Sequence, residues 1–80
     1  MKLAELKGKK ILIVGKGVEG IAVLKFLKRH LSKATIDIVD QKDGSDYLNN
    51  QRDYDLAVKS PGVHPRLITI PYTTATNIFM

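Results

Sequence analysis

The chain has 80 residues, of which 44% are hydrophobic and 26% charged, and it contains no cysteine. This length allows one small domain that buries only about 60% of the surface of its unfolded chain, and the composition excludes intrinsic disorder. Without cysteine there are no disulfides, thiolate metal sites or cysteine nucleophiles. No apolar run approaches the roughly 18 residues of a membrane span and the first residues lack the apolar centre of a signal peptide, so we expect a cytoplasmic location and no membrane partner.

The formal net charge of +5 suits an anionic partner. The lysines are dispersed along the chain, however, and aromatic residues make up only 6% of it. A nucleic-acid platform normally combines a dense basic patch with interleaved aromatic side chains. We therefore expect a small phosphorylated ligand and no nucleic acid.

The chain is organised around an apolar run that meets three glycines. Residues 11–14 are four consecutive apolar residues, which predicts a strand buried on both faces of a parallel sheet. Gly15, Gly17 and Gly20 follow with the spacing G-x-G-x-x-G, and residues 18–31 carry the apolar stripe of an amphipathic helix. In nucleotide-binding folds the first glycine makes a tight turn, the second lets a pyrophosphate approach the backbone, and the third lets the helix lie close to the strand.

A second strand is predicted at residues 35–39, and it ends in Asp40, twenty positions after Gly20. The glycine spacing alone is equally compatible with a plain turn between a strand and a helix. The complete order of strand, glycine turn, helix, strand and acid favours a nucleotide site. In an NAD-binding domain, Asp40 would accept a hydrogen bond from a ribose hydroxyl.

Three loops are expected at the carboxyl edge of the predicted sheet. A polar loop, residues 40–46, follows the second strand, and a third strand is predicted at residues 55–59. Ser60-Pro61-Gly62-Val63 comes directly after that strand and is typical of a turn. Open α/β sheets bind ligands at the carboxyl ends of their strands, so these loops and the glycine turn predict one ligand site.

The remaining segments give weaker patterns. Residues 47–51 predict a short helix capped by Ser45 or Asp43, and residues 67–70 predict a fourth strand that Pro71 ends. Residues 72–80 predict the start of another helix, capped by Thr73 or Thr74. The fold class is therefore α/β, a small Rossmann-like three-layer domain with a parallel sheet of about four strands. Because residues 1–80 end on a newly begun apolar helix, we expect them to be the front of a longer multidomain protein.

Three segments of the sequence resemble the N-terminal domain of the Mur ligases: residues 9–22, Val39-Asp40, and residues 55–63 with their Lys-Ser-Pro-Gly-Val ending. The last segment is the most specific, since glycine turns occur in many nucleotide folds. The resemblance covers nearly the whole chain and is strongest to the D-glutamate-adding member of the family. It implies a small parallel sheet, flanked by helices, that holds the UDP part of UDP-N-acetylmuramoyl-L-alanine.

The resemblance also implies the site residues. The glycine turn and helix start would face the pyrophosphate, the residues after the second strand would surround uracil and ribose, and the turn after the third strand would close the site. The implied substrate-binding residues are Gly15, Gly17, Val18, Glu19, Gly20, Asp40, Gln41, Lys42, Ser60, Pro61 and Gly62. Two neighbours depart from the family pattern: Lys16 replaces a usually apolar residue, and Glu19, which would repel a pyrophosphate unless it turns away, replaces a small hydroxyl residue.

No catalytic or metal-binding residue is predicted in this chain, and it lacks the G-x-x-x-x-G-K-[ST] loop that binds ATP. The resemblance implies that the full-length ligase uses ATP and Mg²⁺ and has central and C-terminal domains that complete it. The chain would then bind UDP-N-acetylmuramoyl-L-alanine without catalysing amide formation by itself. Two alternatives stay open: a small NAD(H)-binding Rossmann domain, and a non-catalytic interaction domain that has lost its ligand.

Overall fold

The structure is a computed structural model, and it describes residues 8–31, 33–44, 46–60 and 63–74. These residues form four strands and one α-helix in the order β1 (Lys10–Val14), α1 (Val18–His30), β2 (Thr35–Val39), β3 (Leu56–Lys59) and β4 (Tyr72–Thr74). Three 3₁₀ turns lie in the connections, at Gln41–Asp43, Gln51–Asp53 and Pro65–Leu67. Within the described ranges, no helix is long and apolar enough to cross a bilayer.

The four strands form one parallel sheet in the order β2-β1-β3-β4. The chain first moves from β1 to β2 on one side and then crosses to β3 on the other side, so the direction of winding reverses at β1. Parallel α/β sheets bind ligands at such a reversal, outside the carboxyl ends of the strands. The predicted α/β class with a parallel sheet of about four strands is confirmed.

Alternate residues of β1 pack on opposite faces of the sheet, as expected for a period of two. Ile11 and Ile13 pack with Val23 and Leu27 of α1 in one apolar cluster. Leu12 and Val14 pack in a second cluster on the other face. All four residues of β1 from position 11 onward are buried, which confirms the prediction of a strand covered on both sides.

Among the described residues, irregular segments cover the second face, and no helix packs there. Tyr47, Leu48, Tyr54, Val63 and Ile70 pack against the cluster on that face. The sequence predicted a short helix over residues 47–51, and this prediction is wrong: successive turns are followed by the 3₁₀ turn Gln51–Asp53. Helix propensity is poor in a segment with two consecutive asparagines, so turn bonds such as Gln51 N–H to the Leu48 carbonyl (3.1 Å) prevail.

Two buried or half-buried polar side chains fix this second layer. The amide of Gln51, which is 7% exposed, donates to the Leu67 carbonyl (3.0 Å) and accepts from the Thr69 N–H (2.8 Å). The Tyr54 hydroxyl donates to Asp37 of β2 (2.6 Å). That hydrogen bond, together with burial and repulsion by the Asp37 and Asp53 carboxylates, raises the pKa of Tyr54 to about 12.

The fourth strand lies later in the chain than the sequence predicted. Residues 67–70 are not a strand, and Ile68 is instead buried in the second cluster. Tyr72–Thr74 forms β4 and pairs with β3, with Thr73 opposite Val58. The predicted helix start with Thr73 or Thr74 as its cap is therefore wrong, and the rest of that predicted helix lies outside the described residues.

Candidate functional site

The turn after β1 depends on its first and third glycines. Gly15 has a φ of 114°, a backbone conformation that favours glycine, and a side chain there would collide with the Ser60 hydroxyl. A Cβ at Gly20 would collide with the Gly15 carbonyl oxygen. Gly20 therefore lets α1 lie directly on the turn, which is the role predicted for the third glycine.

The second glycine lies where α1 begins. Gly17 is the N-cap residue of α1 and has no side-chain cap, and the helical bonds begin with the Ile21 N–H to the Gly17 carbonyl (3.0 Å). The N–H groups of the first turn, at Val18, Glu19 and Gly20, therefore have no acceptor within the helix. A Cβ at Gly17 would meet no atom within 4 Å, so the backbone here is open to an approaching group.

Asp40 organises the loop after β2 through both carboxylate oxygens. One oxygen accepts the Lys16 N–H (2.7 Å) and the other accepts the Lys42 N–H (2.9 Å). The hydrogen bond from Lys16, followed by that from Lys42, holds the pKa of Asp40 below its usual value. The side chain is therefore ionised at neutral pH, and its remaining lone pairs can accept an imide N–H or a ribose hydroxyl.

Asp43 completes the same loop. One carboxylate oxygen accepts the Asp40 N–H (2.9 Å) and the other accepts from the Lys16 ammonium (2.8 Å), so Asp40 and Asp43 form a capping box. The hydrogen bond from Lys16 is the main cause that holds the pKa of Asp43 below its usual value, and the Asp40 N–H adds to it. A single residue of the glycine turn, Lys16, therefore bonds to two acids of the β2 loop.

The end of β3 supplies the third side of the site. The Ser60 N–H donates to the Val14 carbonyl (3.0 Å), which places Ser60 beside the glycine turn. The Val63 N–H donates in turn to the Ser60 carbonyl (3.0 Å). Pro61 and Gly62, which the sequence predicted for this side, lie outside the described residues.

These three segments enclose a cleft of about 310 Å³ at the carboxyl edge of the sheet. Its lining combines backbone of the glycine turn, the loop after β2 and the segment after β3. The lining residues are Gly15, Gly17, Asp40, Gln41, Ser60, Val63, His64 and Leu67. Five of the residues that the sequence predicted for the site therefore share one cleft.

Four other predicted residues do not line this cleft. Val18 is 90% exposed and borders a separate groove along α1, while Glu19 is exposed on the first helical turn. Gly20 is buried against the turn, as described above. Lys42 is exposed and bonds to Asp40 through its backbone N–H.

The sequence did not identify two residues of the lining, His64 and Leu67. Val63 belongs to the loop after β3 that was predicted at the site, although it was not among the implied substrate-binding residues. His64 begins the 3₁₀ turn Pro65–Leu67, where its ring nitrogen Nδ1 accepts the Arg66 N–H (3.2 Å). The feature that could have identified His64 and Leu67 was their position after β3, which lies next to β1, the strand at which the winding reverses. Leu67 was not considered for the site because residues 67–70 were predicted to form a strand.

Comparison with known proteins gives one significant similarity. The UDP-N-acetylmuramoylalanine–D-glutamate ligase of Geotalea daltonii is 43% identical to the chain over 53 residues, which is 65% of this chain and 12% of that protein. No family model matches the chain, and no solved structure matches it significantly. The similarity confirms the resemblance to the Mur ligases, and the chain spans only a small part of the relative that it matches.

Proposed function

We propose that the chain binds the UDP part of UDP-N-acetylmuramoyl-L-alanine, as the N-terminal domain of an ATP-dependent ligase that adds D-glutamate in peptidoglycan synthesis. ATP, Mg²⁺ and the remaining ligase domains would act elsewhere in that enzyme. The cytoplasmic location predicted from the sequence is part of this proposal.

One observation carries the proposal: a single cleft is lined by Gly15, Gly17, Asp40, Gln41 and Ser60, all of which the Mur ligase resemblance implies for UDP. These residues come from the ends of three different strands and are up to 45 positions apart in the chain (Ser60 minus Gly15). Their convergence on one cleft supports a shared ligand. The similarity to a ligase whose name specifies a UDP-linked substrate supports the identity of that ligand.

The topology of the described strands supports a mononucleotide over a dinucleotide, and the volume of the cleft is compatible with a small molecule. Its volume of about 310 Å³ is near the lower end of the range of roughly 300–1,000 Å³ that is typical of small-molecule sites. A dinucleotide normally lies across both halves of a doubly wound sheet. The described strands supply one such half, with the cleft at its point of reversal.

Each part of the cleft would make a distinct contact with UDP. Gly17 lines the cleft at the start of α1. The N–H groups that follow it in the first helical turn do not line the cleft themselves, but a pyrophosphate that extends past Gly17 would accept from them, and the helix dipole also favours negative charge there. The ionised Asp40 would accept from uracil or the ribose, and Gln41 would line the same part of the cleft. Binding the UDP end would help to hold a distant reacting carboxylate in place, so that binding energy serves orientation.

Isothermal titration calorimetry of the 80-residue chain tests the proposal, with UDP, UDP-N-acetylmuramoyl-L-alanine, ADP and NAD as ligands. UDP and ADP share their phosphates and differ in the base, so a preference for UDP would support a uridine site. A preference for NAD would replace the proposal with a dinucleotide-binding domain. No binding of any of the four would contradict the proposal and favour an interaction domain that has lost its ligand.

Asp40→Ala is the corresponding test of a single residue. Truncation removes an acceptor and leaves the ligand donor unpaired, so we expect affinity for UDP compounds to fall by about 5- to 150-fold. Asp53→Ala is a matched control, because Asp53 is an exposed acid that does not line the cleft. An unchanged dissociation constant for Asp40→Ala would remove this residue from the site.

A further inference from the structure

We propose that the ion pair between Lys16 and Asp43 is a latch that holds the loop after β2 against the glycine turn and thereby positions Asp40 in the cleft. Lys16 and Asp43 are, in this role, positioning residues for the ligand. The inference rests on the proposed nucleotide function, since it assigns Asp40 the contact with the nucleoside.

Two hydrogen bonds join the glycine turn to the loop after β2, and two more within that loop complete a closed network. Lys16 donates from its backbone to Asp40 (2.7 Å) and from its ammonium to Asp43 (2.8 Å), across 24 and 27 positions of the chain respectively. Within the loop, Asp43 accepts the Asp40 N–H (2.9 Å) and Asp40 accepts the Lys42 N–H (2.9 Å). The N–H groups of Lys16 and Lys42 hold the Asp40 carboxylate directly, and the two bonds to Asp43 hold the backbone and the loop that carry it.

Neither partner of the latch lines the cleft, although Lys16 borders the separate groove along α1 together with Gly17 and Val18. Asp40 and Gln41 line the cleft, but Lys16 and Asp43 do not. The ammonium of Lys16 is paired with a carboxylate and the two side chains are about 40% exposed (43% and 39%). The pairing of this charge with Asp43 favours an indirect effect through the loop over contact with a phosphate.

The test measures ligand affinity for Lys16→Met, Asp43→Asn and the double variant by NMR titration with uridine and with UDP. Asparagine keeps an oxygen for the Asp40 N–H and removes the ion pair. We expect each single variant to weaken both ligands equally, by about two- to five-fold, as suits an exposed ion pair. The double variant should bind no more weakly than either single variant, and Lys16→Arg should retain the wild-type affinity.

Lys25→Met is the matched control, since Lys25 is an exposed lysine of α1 that makes no ion pair with a described residue. It should bind both ligands as the wild type does. If Lys16→Met weakens UDP but not uridine, the charge acts directly on the phosphates and the latch is overturned. Unchanged affinity in both single variants overturns it as well.

A second measurement separates the latch from the proposed function. The heteronuclear NOE of the backbone amides of residues 41–43 should fall in Lys16→Met and stay unchanged in Lys25→Met. If the wild type binds neither ligand but Lys16→Met still loses order at residues 41–43, the proposed function fails. The latch then stands as an ion pair that orders the loop after β2. Unchanged order in Lys16→Met overturns the latch whether or not a ligand binds.

Discussion

Gly20→Ala tests how closely α1 lies on the glycine turn. A Cβ at this position would collide with the carbonyl oxygen of Gly15 and would lie 3.7 Å from the Ile13 side chain. Because the colliding atom belongs to the backbone, a side-chain rotation cannot relieve the contact. Either the helix or the turn must move.

The loss of stability follows from two opposing effects. Overpacking costs about 1–3 kcal/mol, and a backbone collision is expected at the upper end of that range. Alanine regains about 1 kcal/mol of helix propensity over glycine. The net loss of about 2 kcal/mol is substantial against the roughly 4–12 kcal/mol expected for a chain of this length, and it corresponds to a fall in melting temperature of about 8–16 °C.

Gly17→Ala makes the same chemical change three residues earlier. Gly17 has a φ of −68°, which alanine adopts without strain, and a Cβ there meets no atom within 4 Å. Its stability should stay within about 1 kcal/mol of the wild type. Since Gly17 lines the cleft, the added methyl group should instead weaken UDP binding.

Thermal unfolding followed by circular dichroism, with UDP titration of both variants, measures the contrast. The expected result is that Gly20→Ala loses stability and Gly17→Ala loses affinity. A Gly20→Ala variant that melts with the wild type would refute the close approach of helix and turn. A Gly17→Ala variant that loses as much stability as Gly20→Ala would refute the assignment of different roles to the two glycines.

Three further predictions concern the core and the pH dependence. Leu27→Ala, in the core between α1 and the sheet, should lower the free energy of unfolding in urea by about 2–5 kcal/mol, whereas Ile21→Ala on the exposed side of α1 should lower it far less. Equal losses in the two variants would contradict the observed burial. Since folding raises the pKa of Tyr54 from 10.0 to about 12, its hydrogen bond stabilises the fold below pH 10, and this contribution disappears as the pH rises to about 12. Tyr54→Phe should not show this loss of stability between pH 10 and 12. If the wild type and Tyr54→Phe lose stability equally over that interval, the assigned hydrogen bond is wrong. Because the pKa values of Asp40 and Asp43 are lowered, their contribution to order in the loop is complete above the usual value of 3.8 and is lost as the pH falls below it. NMR relaxation of residues 41–43 should therefore be constant from pH 7 to about 5. A loss of order within that interval would argue against the hydrogen-bond network of the two acids.

Local patterns were sufficient for the first half of the chain. The apolar run, the glycine spacing and the amphipathic period predicted β1, the turn, α1 and β2, and the observed α1, Val18–His30, ends one residue before the predicted end. These elements depend on periodicity and backbone conformation within a few neighbouring residues. The apolar stripe predicted for α1 includes Ile21 as well as Val23 and Leu27. The structure leaves Ile21 exposed, because the helix face that meets the sheet centres on Val23 and Leu27.

Long-range pairing decided the second half. Ile68 lies in an apolar run that is typical of a strand. Its side chain is buried in the second cluster even though residues 67–70 do not form a strand. The Pro71 carbonyl accepts the Ala57 N–H (2.9 Å), so pairing with β3 begins where the sequence predicted that the strand would end. The buried amide of Gln51, which bonds to the backbone of residues 67 and 69, likewise depends on contacts that no local pattern contains.

The candidate site divides in the same way. The sequence by itself determined the glycine turn and the first two strands, because each follows from local periodicity and backbone requirements, and it placed an acid directly after β2. Only the tertiary structure decided that Ser60 lies against Gly15, that His64 and Leu67 join Val63 in lining the cleft, and that Lys16 bonds to Asp43. Those contacts form between distant positions once the chain reverses its winding at β1, and a parallel sheet brings the carboxyl ends of its strands together only after it has paired.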